Sequence, residues 1–197
     1  MERTDLGRIA AFTDGVMAVA ITLLVLNLEA PTVPDGELDD ALVDLIPSLI
    51  AYLLAFALVG RFWIIHHRLF ETLRAFDSRL MTLNLAFLSL IALVPFATDL
   101  FDRYTQEPLG VAVLGGTLGL AALMHWLAVV HTLRSGFVHE RHRRVSEPLG
   151  SPFGLGFTLL FLLSVPVAFL SPFVATLMWV ATMFLHYPLG KMAPRES

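Results

Sequence analysis

Between Leu45 and Trp63 the chain carries one charged residue, Arg61, in a run otherwise dominated by apolar side chains. Five more stretches are nearly as apolar, and the six segments cover about residues 8–28, 41–65, 80–97, 109–133, 152–170 and 172–189. Each is close to the ~20 residues that an α-helix needs to cross a bilayer. A span in lipid must satisfy its own backbone hydrogen bonds, and these runs lack the period-two pattern of barrel strands. The sequence therefore predicts an all-α, polytopic membrane protein whose six transmembrane helices form one domain over residues 1–197.

The composition excludes several other classes of protein. Hydrophobic residues make up 56% of the chain and charged residues 15%, whereas soluble domains average ~45–50% and about 25%. A net charge of -4 does not suggest a nucleic-acid binder, and the absence of cysteine excludes disulfides and thiolate chemistry. No phosphate-binding loop of the Walker type and no cleavable secretory signal is evident. We expect no enzyme activity and no cofactor, and we interpret His139 and His142 as solvated side chains in a basic loop and not as a metal site.

Lysine and arginine predict the orientation of the chain in the membrane. With an even number of spans, one side receives nearly all of them: Arg3, Arg8, Arg68, Arg74, Arg79, Arg134, Arg141, Arg143, Arg144, Lys191 and Arg195. The positive-inside rule then places both termini in the cytoplasm of a cell membrane. The opposite loops are acidic, either to concentrate cations at a pore entrance or simply to stay soluble; the sequence leaves both readings open.

The first span differs from the others because it contains an ionisable residue, Asp14. An ionised aspartate within a span costs at least ~2.5–3.5 kcal/mol unless it faces protein or water. We therefore expect partners for Asp14 among Arg8, Thr13 and the histidines at the end of the second span.

The same span carries an apolar stripe. At about 100° per residue, Val19, Leu23 and Leu26 fall within about 60° of one another, and Asp14 points to the other side of the helix. Taken alone, such a stripe is more often lipid-facing or core packing than the wall of a pore.

Three motifs resemble the transmembrane protein 175 family, the endosomal and lysosomal potassium channels and their bacterial homologues. The motifs are Arg8-x-x-x-Phe12-Thr13-Asp14-Gly15, Phe62-Trp63-x-x-His66-His67-Arg68, and Asn84 with Pro95-Phe96. Thr13 stands where the family usually has serine, which keeps the hydroxyl group.

The resemblance implies a cation pore that lacks the carbonyl filter of ordinary potassium channels. In the family the first helix lines the pore, and the constriction falls on Val19, Leu23 and Leu26, with the Thr22 hydroxyl linked to potassium selectivity. Val19 is small for its position, which leaves Leu23 as an alternative site for the narrowest ring. The resemblance further implies a polar network that holds this helix, formed by Arg8, Phe12, Thr13, Asp14, Gly15, His66, His67 and Asn84.

A single six-helix unit would need four copies to surround such a pore, so we expect a homotetramer in the bilayer. The predicted function is passive, potassium-selective conduction, with potassium as the permeant ion. The alternative is a proton-conducting or proton-coupled transporter, in which Asp14 and the histidines would carry protons. Its expected internal repeat is not evident, because the two halves do not share the Asp-Gly motif. A membrane subunit without transport activity is a third, weaker reading.

Overall fold

The computed structural model describes residues 3–139 and 152–184. These residues form seven α-helices, which confirms the predicted all-α fold. Helix α1 (Arg3–Leu23) continues into a 3₁₀ turn (Leu24–Asn27), and the rest follow in chain order: α2 (Leu38–Asp44), α3 (Ile46–Thr72), α4 (Ser78–Arg103), α5 (Pro108–Arg134), α6 (Pro152–Ala168) and α7 (Pro172–Phe184).

Four stretches are long and apolar enough to cross a membrane: α1 with its 3₁₀ turn, α3, α4 and α5. Helices α6 and α7 are also apolar, but their described lengths are 17 and 13 residues. The predicted end of the last span, residues 185–189, lies outside the described residues, as do Arg141, Arg143, Arg144, Lys191 and Arg195.

Two helices extend further along the chain than the predicted spans. The second segment begins in α2, breaks at Leu45 and continues as α3 to Thr72, so that His66 and His67 lie inside a helix and not at its end. The third segment does not stop near Pro95 but runs on to Arg103. Proline removes one backbone hydrogen bond, which transmembrane helices tolerate where neighbouring helices compensate. The carbonyl of Pro95 accepts a 2.9 Å hydrogen bond from Asn27 Nδ2 of the 3₁₀ turn.

Hydrogen bonds between helices establish their relative directions. Helices α1 and α4 run parallel, because Thr13 meets Asn84 near their N-terminal ends and Asn27 meets Pro95 towards the opposite ends. Helices α3 and α5 run antiparallel to α1 and α4. One end of the bundle therefore gathers five of the arginines: Arg8, Arg68, Arg74, Arg79 and Arg134. At the other end, Arg103 pairs with Asp99 at 3.0 Å and Glu29 at 3.5 Å.

A short backbone pairing closes the basic end. The backbone N–H of Arg74 donates to Phe137 O at 2.8 Å, and that of His139 donates to Thr72 O at 3.0 Å. Gly136 turns the chain after α5 with a φ of 66°, a conformation that other residues rarely adopt. The link between α3 and α4 is thereby held against the C-terminal end of α5.

Helices α5 and α6 pack closely at Gly115 and Gly119, whose spacing is the small-residue pattern typical of close contacts between membrane helices. A Cβ atom at Gly115 would lie 2.7 Å from Ser164 Oγ, and one at Gly119 would lie 2.8 Å from a methyl carbon of Leu162. The core beside this contact is aromatic, and the ring centroids of Phe62 and Phe161 are 6.1 Å apart.

Candidate pore helix and its polar anchors

Helix α1 has one buried face and one free face. Thr13, Met17, Ala20 and Leu24 are at most 3% exposed and pack against the other helices. On the opposite side, Val19, Leu23 and Leu26 are 57%, 41% and 69% exposed. The apolar stripe that periodicity predicts is therefore a surface of the bundle and not part of its core.

We call the free side of this helix, formed by Phe12, Gly15, Val19, Leu23 and Leu26, the α1 stripe. It borders an open groove of about 420 Å³ whose walls also include Val16 and Ala92. Thr22 is exposed beside the stripe, and its hydroxyl donates to Val19 O at 2.9 Å. Because that bond uses the only hydroxyl proton, the oxygen keeps lone pairs that can accept a hydrogen bond or contact a cation.

An interior polar network holds the buried face of α1. Asn84 Nδ2 on α4 donates to Thr13 Oγ1 at 3.0 Å, and Asn84 Oδ1 lies 2.9 Å from His66 Nε2 on α3. His66 Nδ1 is 3.1 Å from His125 Nδ1 on α5, and the His66 ring stacks on Phe87 at 4.4 Å. One chain of side chains therefore connects four helices through the core.

A second polar network lies at the surface of the bundle and involves Asp14, the residue that follows Thr13 on α1. Trp63 Nε1 donates to Asp14 Oδ1 at 2.9 Å, and His67 Nδ1 lies 4.0 Å from the same carboxylate. His67 also reaches Glu71 at 3.5 Å and stacks on Trp63. The Asp14 side chain is 43% exposed, so the indole and the histidine hold a partly accessible carboxylate at the junction of α1 and α3.

The predicted polar residues are thus divided between two places. Thr13, Asn84 and His66 meet in the interior, whereas Asp14 and His67 meet at the surface. Phe12 and Gly15 lie on the stripe. Among the described side chains, Arg8 forms neither a hydrogen bond nor an ion pair with Asp14, and it is exposed at the basic end of the same face. Of the candidate partners of Asp14, His67 therefore lies beside the carboxylate and Arg8 does not.

The sequence reasoning missed the role of Trp63 and understated that of His125. Trp63 lies one helical turn before His67, so the two side chains share a face of α3, and this spacing could have indicated a joint contact. His125 on α5 lies within hydrogen-bond distance of His66 on α3. Nothing in the sequence pairs it with His66.

These features define a multi-pass α-helical membrane protein. The family model for the endosomal/lysosomal potassium channel TMEM175 matches residues 8–95, which contain all of both networks except His125. A potassium channel of Streptomyces collinus is 35% identical over 174 residues, covering 84% of this chain and 83% of its own length. The chain belongs to the TMEM175 family, which is a family of ion channels and not of enzymes.

Two further comparisons agree with this assignment. The crystal structure of a lysosomal potassium-selective channel TMEM175 homolog from Chamaesiphon minutus superposes with a TM-score of 0.82 at 28% identity, covering 93% of this chain and 97% of that one. The endosomal/lysosomal proton channel TMEM175 of Bos taurus is 34% identical over 110 residues, which span 51% of this chain and 23% of the bovine protein. The bovine match is therefore confined to part of a much longer chain.

Proposed function

We propose that this chain is a potassium channel that conducts passively through a pore lined by α1. The observation that carries the proposal is the α1 stripe, a free apolar face on the helix that contains the family motif. The Streptomyces relative is a potassium channel and the solved homologue is potassium-selective, which supports potassium as the permeant ion.

The pore requires several copies of the chain. In one copy the α1 stripe lies on the outside of the bundle beside an open groove, so the described residues of a single chain enclose no path along it. We propose a homotetramer with cyclic symmetry, in which four α1 helices face a common axis. Association would also cover apolar residues such as Val19 and Leu26, both more than half exposed in the single chain.

The proposed constriction consists of rings of Val19, Leu23 and Leu26, with Thr22 beside them. An apolar ring requires an ion to shed part of its hydration shell, and potassium sheds water more readily than sodium. The same rings can close the pore by dewetting. The Thr22 hydroxyls supply oxygen atoms where an ion must lose water. The networks at Thr13 and Asp14 hold α1 in the rotation that points the stripe at the axis.

The proposed topology has six spans, with both termini in the cytoplasm of the cell membrane. Helices α6 and α7 form an apolar hairpin, and Ser171 accepts a hydrogen bond from Val174 N at 3.4 Å at the start of α7. We infer that they supply the fifth and sixth spans. The gathered arginines make one end of the bundle the cytoplasmic end under the positive-inside rule.

Proton conduction is the second candidate function. Two observations favour it: the bovine relative is a proton channel, and His66 and His125 form a buried pair of titratable rings. A proton path through these histidines would bypass the α1 stripe altogether. Substitutions in the stripe would then leave the flux unchanged, which separates the two candidates.

The experiment is ion flux into liposomes that contain the purified protein, with potassium, sodium or a proton gradient as the driving ion. We expect potassium flux to exceed sodium flux. Leu23→Ser or Leu26→Ser should increase leak and reduce the potassium preference, whereas Leu163→Ser, at a 53% exposed position on α6, should do neither. Absence of flux, or dominant proton flux with no effect of the stripe substitutions, would overturn the proposal.

A further inference from the structure

A small cavity lies between α3, α5 and α6, away from the α1 stripe. It measures about 10 Å³ and is lined in part by Ile65, His125, Trp126, Phe157 and Thr158. Three of its lining residues each carry a buried polar atom that has no hydrogen-bond partner among the described residues: His125 Nε2, Trp126 Nε1 and Thr158 Oγ1. The great majority of buried polar atoms in folded proteins are hydrogen-bonded, so three unpaired atoms around one cavity need an explanation.

The hydrogen bonds of the interior network determine which nitrogen of His125 is protonated, and therefore whether Nε2 is a donor or an acceptor in this cavity. Asn84 uses its amide N–H to donate to Thr13, so its oxygen accepts from His66 Nε2. In neutral His66 the proton is then on Nε2, and Nδ1 is an acceptor. His125 must donate its Nδ1 proton across the 3.1 Å contact between the two rings. Neutral His125 is therefore left with a bare lone pair on Nε2.

The other two atoms have complementary chemistry. The Trp126 indole N–H can only donate, and the Thr158 hydroxyl can both donate and accept. A ligand in the cavity must therefore accept from Trp126 and donate to His125. A cation is excluded because the indole N–H points a positive hydrogen at it. A volume of about 10 Å³ is near the lower limit for one water molecule.

We propose that this cavity binds one ordered water molecule. The water donates to His125 Nε2, accepts from Trp126 Nε1 and forms its third hydrogen bond with Thr158 Oγ1. It completes a hydrogen-bonded chain that runs from Thr13 on α1 through Asn84, His66 and His125 to Thr158 on α6. The proposal does not depend on the ion that the protein conducts.

The first test is an experimental structure of the full chain at a resolution that shows ordered water. We expect a water molecule within about 3.2 Å of all three atoms. It should be absent or displaced in Thr158→Val and retained in Thr132→Val, the control, because the buried Thr132 hydroxyl is already bonded to Val129 O at 2.8 Å. A dry cavity, or direct pairing of the three side chains with one another, would overturn the proposal.

The second test uses the wild-type chain, so its outcome does not depend on whether a variant folds. Solid-state NMR of the wild-type chain with ¹⁵N-labelled histidine in bilayers distinguishes protonated from bare ring nitrogens. We expect His125 to carry its proton on Nδ1 and His66 on Nε2, with the bare Nε2 of His125 accepting a hydrogen bond from exchangeable water. A proton on Nε2 of His125, or a bare Nε2 without a hydrogen bond to water, would contradict the proposed site.

Discussion

Asn84 donates its side-chain amide to the Thr13 hydroxyl at 3.0 Å, while the next residue of α1, Asp14, accepts from the Trp63 indole at 2.9 Å. Two consecutive residues thereby attach the same helix to α4 on one side and to α3 on the other. Because neighbouring side chains on a helix point about 100° apart, these two bonds restrict rotation of α1 about its axis. The remaining face is the α1 stripe.

The interior polar network predicts that the fold loses stability when the side-chain amide of Asn84 is replaced. Asn84→Leu leaves the Thr13 hydroxyl and His66 Nε2 without their buried partner, and each such group costs about 1–3 kcal/mol. We expect a clearly lower unfolding temperature in detergent. Ser89→Ala is the matched control on α4, because the Ser89 hydroxyl is exposed and bonds only Ala86 O of its own helix. Equal unfolding temperatures for both variants would mean that the network does not hold α1.

The close approach of α5 and α6 predicts different effects at adjacent glycines. Gly115→Ala would place a Cβ atom 2.7 Å from Ser164 Oγ and 3.1 Å from the Trp179 ring, whereas Gly116→Ala would meet nothing closer than Val165 at 3.8 Å. Overpacking of this kind costs about 1–3 kcal/mol. Thermal unfolding should show a lower midpoint temperature for Gly115→Ala than for the wild type, and an unchanged midpoint temperature for Gly116→Ala. A similar loss at Gly116 would argue against the described packing.

The N-terminus of α4 predicts a specific response to acid. Its capping residue, Asp77, accepts from Leu80 N at 2.8 Å and lies 2.9 Å from His131 Nε2. The pKa of Asp77 is lowered mainly by the hydrogen bond from Leu80 N–H, and further by His131 and Arg79. A lowered pKa in the folded state stabilises the fold at pH values above the unfolded pKa of about 3.9, and this contribution is lost as the pH falls through the folded pKa.

The variant that tests this is Asp77→Asn, which keeps a capping oxygen but cannot ionise. We expect it to be less stable than the wild type at neutral pH and to approach the wild type as the solution becomes strongly acidic, in unfolding temperatures measured across that range. Asp102→Asn, at the opposite end of α4, should follow the wild type throughout. A constant gap between Asp77→Asn and the wild type at every pH would refute the assigned role.

The proposed tetramer can be tested by its mass and by cross-linking at introduced cysteines, since the chain contains no cysteine of its own. Four copies around an axis should give a protein mass of four times 21.8 kDa by light scattering after correction for detergent. Oxidation of Leu26→Cys, at an exposed stripe position, should cross-link copies to each other. Leu163→Cys on α6 should remain uncross-linked, and a monomeric mass would contradict the tetramer.

The sequence was sufficient for the class of fold because runs such as Leu45 to Trp63, with Arg61 as their one charge, are long and apolar enough to cross a bilayer as helices. Helix ends were less predictable: Pro95 was expected near the end of a span, but α4 continues past it, and the Asp99–Arg103 pair stabilises its last turn. Proline marks a lost hydrogen bond, not necessarily a helix end.

The candidate site was predictable in its residues and not in its pairings. Periodicity identified the Val19, Leu23 and Leu26 stripe, and the burial pattern shows that it faces outward. Whether Asp14 meets Arg8 or Trp63 depends on how α1 and α3 pack against each other, which no local pattern specifies. Periodicity also cannot distinguish a lipid-facing stripe from a pore wall.

Thiol modification measures whether the α1 stripe faces the conducting path. Potassium current through Leu23→Cys and Leu26→Cys channels in planar bilayers should be blocked by a charged, membrane-impermeant thiol reagent, because those side chains would face water in the pore. Leu163→Cys, at a 53% exposed position on α6, should conduct unchanged in the same reagent. Current that is insensitive at both stripe positions, or that is equally sensitive at Leu163, would contradict a pore lined by α1.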